Sequence, residues 1–213
     1  MKVLKFTKEY ASQELNKIPA GYINKTVCGC GLTTIALEND VNTIIAVPSV
    51  ELIRNKVAQY PNSRSNNIIL GVYGGVDTLD IADYVMNTDV VKIMVTYDSL
   101  WKVRHLLDFS HLVIDESNKL LASSKLKASS KSTSKQVDVV SQVFEIAKAH
   151  KDTVSFISAT PTPLEFMPDW VSTIDQITME WAGMAKAKPT PICTVQSRAI
   201  AINPIRKTTS RTK

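Results

Sequence analysis

The sequence contains no run of eighteen consecutive apolar residues, which is about the length that a membrane-spanning helix needs. Its first ten residues, MKVLKFTKEY, interrupt their apolar positions with charge before the core of a signal peptide could form. Both absences predict a protein without a membrane partner that works in the cytoplasm, or in the host cytoplasm if it is viral. With 213 residues, of which 44% are apolar, the chain is long enough to bury a sizeable core.

Cysteine is also scarce. The chain has three cysteines, and Cys28 and Cys30 lie only two positions apart. This small, odd number and close spacing exclude a disulfide scaffold and a zinc framework. We therefore expect a reducing compartment.

Acidic residues are absent from two positively charged segments. Residues 117–135 contain five lysines, and residues 186–213 contain seven lysines or arginines. Subtracting these twelve charges from the formal total of +5 leaves −7 on the remainder. Such segments suit contacts with phosphates, although a solvated loop and a frayed tail would have the same composition. The Ser/Lys-rich stretch 122–136 is predicted to be a mobile loop.

Short apolar runs rich in β-branched residues alternate with amphipathic stretches. Continuous apolar runs fit strands that are covered on both faces, and the alternation predicts an α/β fold with a parallel sheet between helices. The predicted strands are YINKTV at 22–27, followed by 42–49, 67–74, 90–97, 111–116 and 153–160; the predicted helices are 32–39, 49–60, 77–86, 98–107 and 136–150.

The pattern weakens after residue 172, where 175–181 and 190–197 could each be a strand. We therefore predict a nucleotide-binding domain over 1–172, and a C-terminal extension over 173–213 with the last strand or strands and a basic tail.

The stretch NKTVCGCGLTTIALEND, residues 24–40, is similar to a phosphate-binding loop. Gly29 and Gly31 permit a sharp turn that points backbone N–H groups inward. Thr33 stands where a loop hydroxyl would hold magnesium, whereas Leu32 stands where a lysine would reach the β- and γ-phosphates. An ordinary glycine turn is the alternative.

Two further segments place polar residues at the ends of predicted strands. In HLVIDESN, Asp115 would face the same edge of the sheet as the glycine turn and bind magnesium, with Glu116 placed to polarise a water. Alternatively, the two acids cap the next helix. In FISATPTP, Ser158 and Thr160 could hydrogen-bond a carboxylate such as Asp115, or could belong to an ordinary Thr-Pro turn.

In order and spacing, these segments resemble the first RecA-like domain of a superfamily 2 helicase of the DEAD/DEAH type, over about residues 20–165. The glycine turn corresponds to a degenerate Walker A motif, AVPSVELIRNK to motif Ia, VIDES to the Walker B motif and SAT to motif III, with VYGGV and IMVTYDSL between them. The resemblance implies a RecA-like three-layer sandwich with a mostly parallel sheet, the P-loop NTPase fold. It also implies binding of ATP, Mg²⁺ and DNA or RNA.

The resemblance further implies roles for individual residues. Asp115 and Glu116 would be catalytic, and Thr33 and Asp115 would hold Mg²⁺. Ser158, Ala159 and Thr160 would couple nucleotide state to strand binding. The nucleotide would be bound by Lys25, Cys28, Gly29, Cys30, Gly31, Leu32, Thr33 and Thr34, and the nucleic acid by Pro48, Ser49, Arg54, Gly74, Gly75, Thr96 and Tyr97.

The chain departs from the family pattern at Leu32. Loss of the lysine charge would remove about 2 to 4 kcal/mol of transition-state stabilisation. We hypothesise that Lys25, six residues before Gly31, supplies the missing ammonium from the preceding strand; the alternative is that Lys25 points to solvent.

The chain also departs from the family in length. Motors of this family hydrolyse ATP between two RecA-like domains, and no segment after residue 165 is long enough to form the second. We therefore expect a second domain or a partner protein to be required for motor activity.

Three interpretations follow: one half of a helicase-type ATPase, a pseudo-helicase that binds nucleotide or nucleic acid without turnover, and a protein-interaction scaffold on the same fold.

Overall fold

The computed structural model describes residues 1–60, 68–121 and 139–182. The predictions for the loop at 122–136, the strand at 190–197 and the basic tail lie outside these residues.

Within the described residues, eight parallel strands form one sheet in the order β1-β8-β2-β7-β6-β3-β5-β4. The predicted α/β class is confirmed, and the sheet between two helical layers is consistent with a RecA-like three-layer sandwich. The strands are β1 (Lys2–Phe6), β2 (Gly21–Asn24), β3 (Thr43–Val47), β4 (Leu70–Val72), β5 (Lys92–Thr96), β6 (His111–Asp115), β7 (Val154–Ser158) and β8 (Gln176–Trp181).

Helices cover both faces of the sheet. Side chains alternate along each strand, so Ile44 of β3 lies in one core and Ile45 in the other. The helices are α1 (Leu32–Glu38), α2 (Val50–Gln59), α3 (Thr78–Met86) and α4 (Val139–Ala149), and the 3₁₀ segments are Ala11–Gln13, Tyr97–Phe109, Leu164–Phe166 and Asp169–Thr173. In the described part of the chain, every helix is too short or too polar to cross a bilayer.

The first strand was not expected from the sequence. In β1, Lys2 and Lys5 interrupt the apolar residues, and Phe6 is its one buried side chain, stacked on Trp181 with 4.6 Å between ring centroids. β8 pairs with β1 on one side and with β2 on the other. The strand that follows the predicted boundary at residue 172 therefore lies inside the sheet.

The strand order determines which sequence segments meet. β7 lies between β2 and β6, with Asn24 opposite Ser158 and Asp115 opposite Ile157. Because all strands are parallel, the segments that follow β2, β6 and β7 share one edge of the sheet.

The opposite edge contains a buried cation. Lys92, the first residue of β5, has no exposed surface, and its Nζ donates to Ala36 O at 2.8 Å, Asn39 Oδ1 at 2.6 Å and Val41 O at 2.6 Å. The ammonium thus satisfies carbonyls at and just beyond the C-terminus of α1, where a positive charge is favourable. Burial lowers the pKa of Lys92 to about 8, although the charge of Asp40 opposes the shift.

The lowered pKa of Lys92 predicts a pH dependence of stability. Between pH 8 and its ordinary pKa of 10.5, the folded protein binds fewer protons at this site than the unfolded chain, so stability rises with pH. We expect the free energy of unfolding of the wild type to rise relative to Lys92→Met across this window, by at most about 1.4 kcal/mol per pH unit.

Urea unfolding at pH 7, 8.5 and 10 measures this difference. Lys151→Met removes an exposed lysine and should follow the wild-type pH dependence. A gap between the wild type and Lys92→Met that is constant with pH would contradict the prediction.

Candidate functional site

Residues on both sides of the glycine turn meet the acidic pair at the carboxyl edge of the sheet. Lys25 Nζ lies 3.4 Å from Asp115 Oδ1 and 2.9 Å from Glu116 Oε1. Thr33 Oγ1 donates to Asp115 Oδ2 at 3.1 Å. Asp115 and Glu116 therefore contact the residue that follows β2 and the second residue of α1.

The ion pair is shielded from water. Lys25 is 8% exposed and Asp115 is 6% exposed. Burial lowers the pKa of Lys25, but the charge of Asp115 and the hydrogen bond and charge of Glu116 outweigh burial, so this pKa is raised. The ammonium therefore stays protonated at neutral pH, and the alternative that Lys25 points to solvent is wrong.

A strained turn directs Lys25 toward the carboxylates. Thr26 has a φ of 50°, and Val27 N–H donates to Lys25 O at 2.5 Å, which closes a three-residue turn. A positive φ at threonine requires support from its surroundings. Thr26 Oγ1 donates to Met179 O at 2.7 Å, and Thr26 N–H donates to Asn24 Oδ1 at 3.0 Å. Strand β8 thus helps to hold the turn.

The acidic pair lies on a second strained turn. Glu116 has a φ of 54°, and its N–H donates to Asp115 Oδ1 at 3.0 Å. The Tyr97 hydroxyl lies 2.5 Å from Asp115 O and 3.3 Å from Glu116 O. Because burial, followed by the charges of Asp115 and Glu116, raises the pKa of Tyr97, the phenol remains a donor. Tyr97 therefore positions the backbone that presents both carboxylates.

The glycine turn needs glycine for its backbone conformation. Gly29 and Gly31 have φ values of 72° and 84°, in the left-handed region. A Cβ at Gly29 would meet no atom within 4 Å, so the space around it is open. Cys28 is exposed, whereas Cys30 is buried and its carbonyl accepts from Ala11 N at 2.8 Å.

The first three residues of α1 point in different directions. Leu32 is buried in a core with Ile35, and Thr34 lies beside the Tyr60 phenol. Of these three residues, Thr33 is the one whose side chain reaches Asp115. Leu32 therefore does not place its side chain at the acidic pair.

The segment Ser158–Thr160 links the two sides of the site. Ser158 O accepts from Lys25 N at 2.9 Å, and Ser158 Oγ accepts from Thr160 N at 3.1 Å. Thr160 Oγ1 then accepts from Asn118 Nδ2 at 3.1 Å, while Ala159 is buried. We expected these hydroxyls to bond a carboxylate such as Asp115; the connection found here runs through Asn118, three residues later.

The residues expected to contact nucleic acid divide into two groups. Thr96 and Tyr97 are buried, so the structure does not present them at the surface. Pro48 and Ser49 are half-buried, with Ser49 at the N-cap of α2; Arg54, Gly74 and Gly75 are exposed.

Two contacts near Arg54 and the Gly74–Gly75 turn were not predicted from the sequence. The Arg54 guanidinium lies 5.5 Å from the centroid of the Tyr73 ring. Lys102 Nζ donates to Val76 O at 2.7 Å and thereby holds the turn that contains Gly74 and Gly75. No local sequence pattern indicates either contact.

The oxygen atoms at the site suit magnesium. Asp115 supplies carboxylate oxygens and Thr33 a hydroxyl, and Mg²⁺ prefers a few such ligands together with phosphate oxygens and water. Among the described residues, no cluster of three or more His, Cys, Asp or Glu could hold a metal ion by itself. Ser117 Oγ and Asn118 Oδ1 are buried without partners in the same part of the chain, so hydrogen-bonding capacity remains beside Glu116.

Two cavities lined by described residues lie away from this site. One, of about 440 Å³, lies between α4 and the 3₁₀ segment Asp169–Thr173. The other, of about 300 Å³, includes Gly21 and Asp175 at the amino edge of the sheet. At the candidate site itself, Lys25 is packed against the carboxylates, so the site is defined by these contacts.

No known protein-family model matches the chain, and no curated protein matches its sequence significantly. Interpretation of the site therefore depends on its geometry and chemistry.

The position of Tyr97 predicts a stability effect. We expect Tyr97→Phe to lower the free energy of unfolding by about 1–3 kcal/mol, because the buried carbonyl of Asp115 loses its donor. Chemical denaturation measures the loss. Tyr10→Phe removes the same hydroxyl from an exposed tyrosine and should change stability by less than about 0.5 kcal/mol. Equal effects of the two substitutions would contradict the positioning role.

Proposed function

We propose that this chain is a helicase-type ATP-binding domain that binds Mg²⁺-ATP and nucleic acid, with hydrolysis requiring a second domain or a partner protein. One observation carries the proposal: Lys25, Thr33 and the acidic pair, drawn from separate segments, meet beside a glycine turn at the carboxyl edge of a parallel sheet. Ligands of α/β sheets bind outside this edge.

Each step of the proposed chemistry can be assigned to a residue whose position is known. Thr33 Oγ1 and Asp115 would hold the metal, and Gly29 and Gly31 allow the turn to bring backbone N–H groups close to phosphate oxygens. Bound Mg²⁺ would neutralise charge on the phosphates. Glu116, which is less buried than Asp115, would orient and polarise the attacking water. Through Asn118, Ser158 and Thr160 connect Lys25 to the helical residues that follow Glu116.

A second candidate function is nucleotide or nucleic-acid binding without turnover. The burial of Leu32 favours it, because the first residue of α1 offers no charge to a phosphate. Nucleic-acid-stimulated phosphate release distinguishes the two candidates, since it requires turnover. The assay should include the isolated chain and the chain with a candidate second domain.

Adjacent threonines provide a matched test of nucleotide binding. Thr33 donates a hydrogen bond to Asp115, whereas Thr34 lies beside Tyr60. We expect Thr33→Ala to weaken Mg²⁺-ATP binding by about tenfold, equivalent to about 1.4 kcal/mol, and Thr34→Ala to change it by less than about twofold. Isothermal titration calorimetry with a non-hydrolysable ATP analogue measures both.

Thermal unfolding provides an independent measurement. A ligand at one hundred times its Kd should stabilise the wild type by about 2.7 kcal/mol. Absence of any Mg²⁺-dependent stabilisation by ATP or ADP would refute nucleotide binding and favour a protein-interaction scaffold.

The basic stretch at 122–136 provides a test of nucleic-acid binding. If it contacts phosphates, neutralising Lys125, Lys127, Lys131 and Lys135 should weaken binding of single-stranded DNA or RNA and reduce its salt dependence. Fluorescence anisotropy at 50 and 200 mM salt measures both effects. Unchanged affinity and salt dependence would show that these lysines belong to a solvated loop.

A further inference from the structure

Lys25 occupies the carboxylate oxygens that a metal ion would need. Asp115 Oδ1 and Glu116 Oε1 both accept from the Lys25 ammonium, while Asp115 Oδ2 accepts from Thr33. A second cation at these oxygens would lie beside a buried positive charge, where repulsion is poorly screened. The ammonium must therefore move before Asp115 can take a divalent ion as its main counterion.

Lys25 also lies where a phosphate could attract it. Lys25 follows β2 and precedes the glycine turn, and its ammonium contacts Asp115 Oδ1 and Glu116 Oε1 at the end of β6. The backbone of Lys25 is fixed by Ser158 O and by the turn at Thr26. Its four-carbon stem keeps rotatable bonds, so the ammonium can change partners without movement of the strand.

We infer that Lys25 is an exchangeable counterion, which neutralises Asp115 and Glu116 in the nucleotide-free protein and pairs with phosphate when a metal-bound triphosphate binds. The identity of the phosphate ligand rests on the proposed function. A divalent ion alone must displace Lys25 and binds weakly, whereas a triphosphate draws Lys25 away and frees the carboxylates. Metal and nucleotide therefore each increase the affinity for the other.

The decisive experiment uses Mn²⁺ alone, without nucleotide, and measures its binding by electron paramagnetic resonance. Lys25→Met removes the competing charge and leaves a similar apolar stem. We expect this variant to bind Mn²⁺ at least about tenfold more tightly than the wild type, and to gain thermal stability on addition of Mg²⁺. Lys25→Arg retains the charge and should bind Mn²⁺ as weakly as the wild type.

Two further variants complete the design. Lys119→Met removes an exposed lysine three residues after Glu116 and controls for overall charge, so its Mn²⁺ affinity should equal that of the wild type. If Lys25→Met does not fold, Lys25→Gln gives the same comparison, because its amide can still donate to the carboxylates.

Equal Mn²⁺ affinity in the wild type and in the folded neutral variant would overturn the inference. Because nucleotide is absent, this result is separate from the proposed function. Mg²⁺-ATP binding without the Mn²⁺ effect would refute the exchange alone, and the Mn²⁺ effect without ATP binding would refute the proposed nucleotide while supporting Lys25 as the resident counterion.

Discussion

The candidate site depends on the buried contact of Lys25 with Asp115 and Glu116. Removing charges from water costs several kcal/mol per ion, and mutual attraction offsets this cost only where geometry and additional hydrogen bonds are favourable. Here Thr33 and the N–H of Glu116 supply those additional bonds to Asp115. Such a pair is weak evidence of stability, and here it lies where the segment before the glycine turn meets the end of β6.

Both sides of the ion pair require strained backbone that distant elements support. Thr26 and Glu116 each have a positive φ. Thr26 directly follows Lys25, and Glu116 directly follows Asp115. Thr26 is tied to β8, whereas the turn at Glu116 is tied to Tyr97, which follows β5. Elements on both sides of the central strands therefore contribute to the geometry of a site that lies at the ends of β2 and β6.

The sequence predicts the six strands from β2 to β7 because fully covered strands are continuous apolar runs. It does not predict β1, since two lysines in five residues give this edge strand the appearance of a polar segment. It suggests β8 but not its place between β1 and β2, because parallel pairing joins residues far apart in the chain. The residues of the candidate site can be selected from their positions after strands. The direction of the Lys25 side chain cannot be predicted from the sequence, because it depends on the turn at Thr26 and on the hydrogen bond of Thr26 to Met179 O.

The short helix α1 shows how the two edges of the sheet are connected. Seven residues are too few for a helix to be stable without tertiary contacts. At its N-terminal end, Thr33 contacts Asp115, and at its C-terminal end Lys92 binds Ala36 O. Between them, Leu32 and Ile35 are buried in the core. A lysine at position 32 would have to leave that core, so the packing of α1 itself explains why a cation from the end of β2 serves the acidic pair.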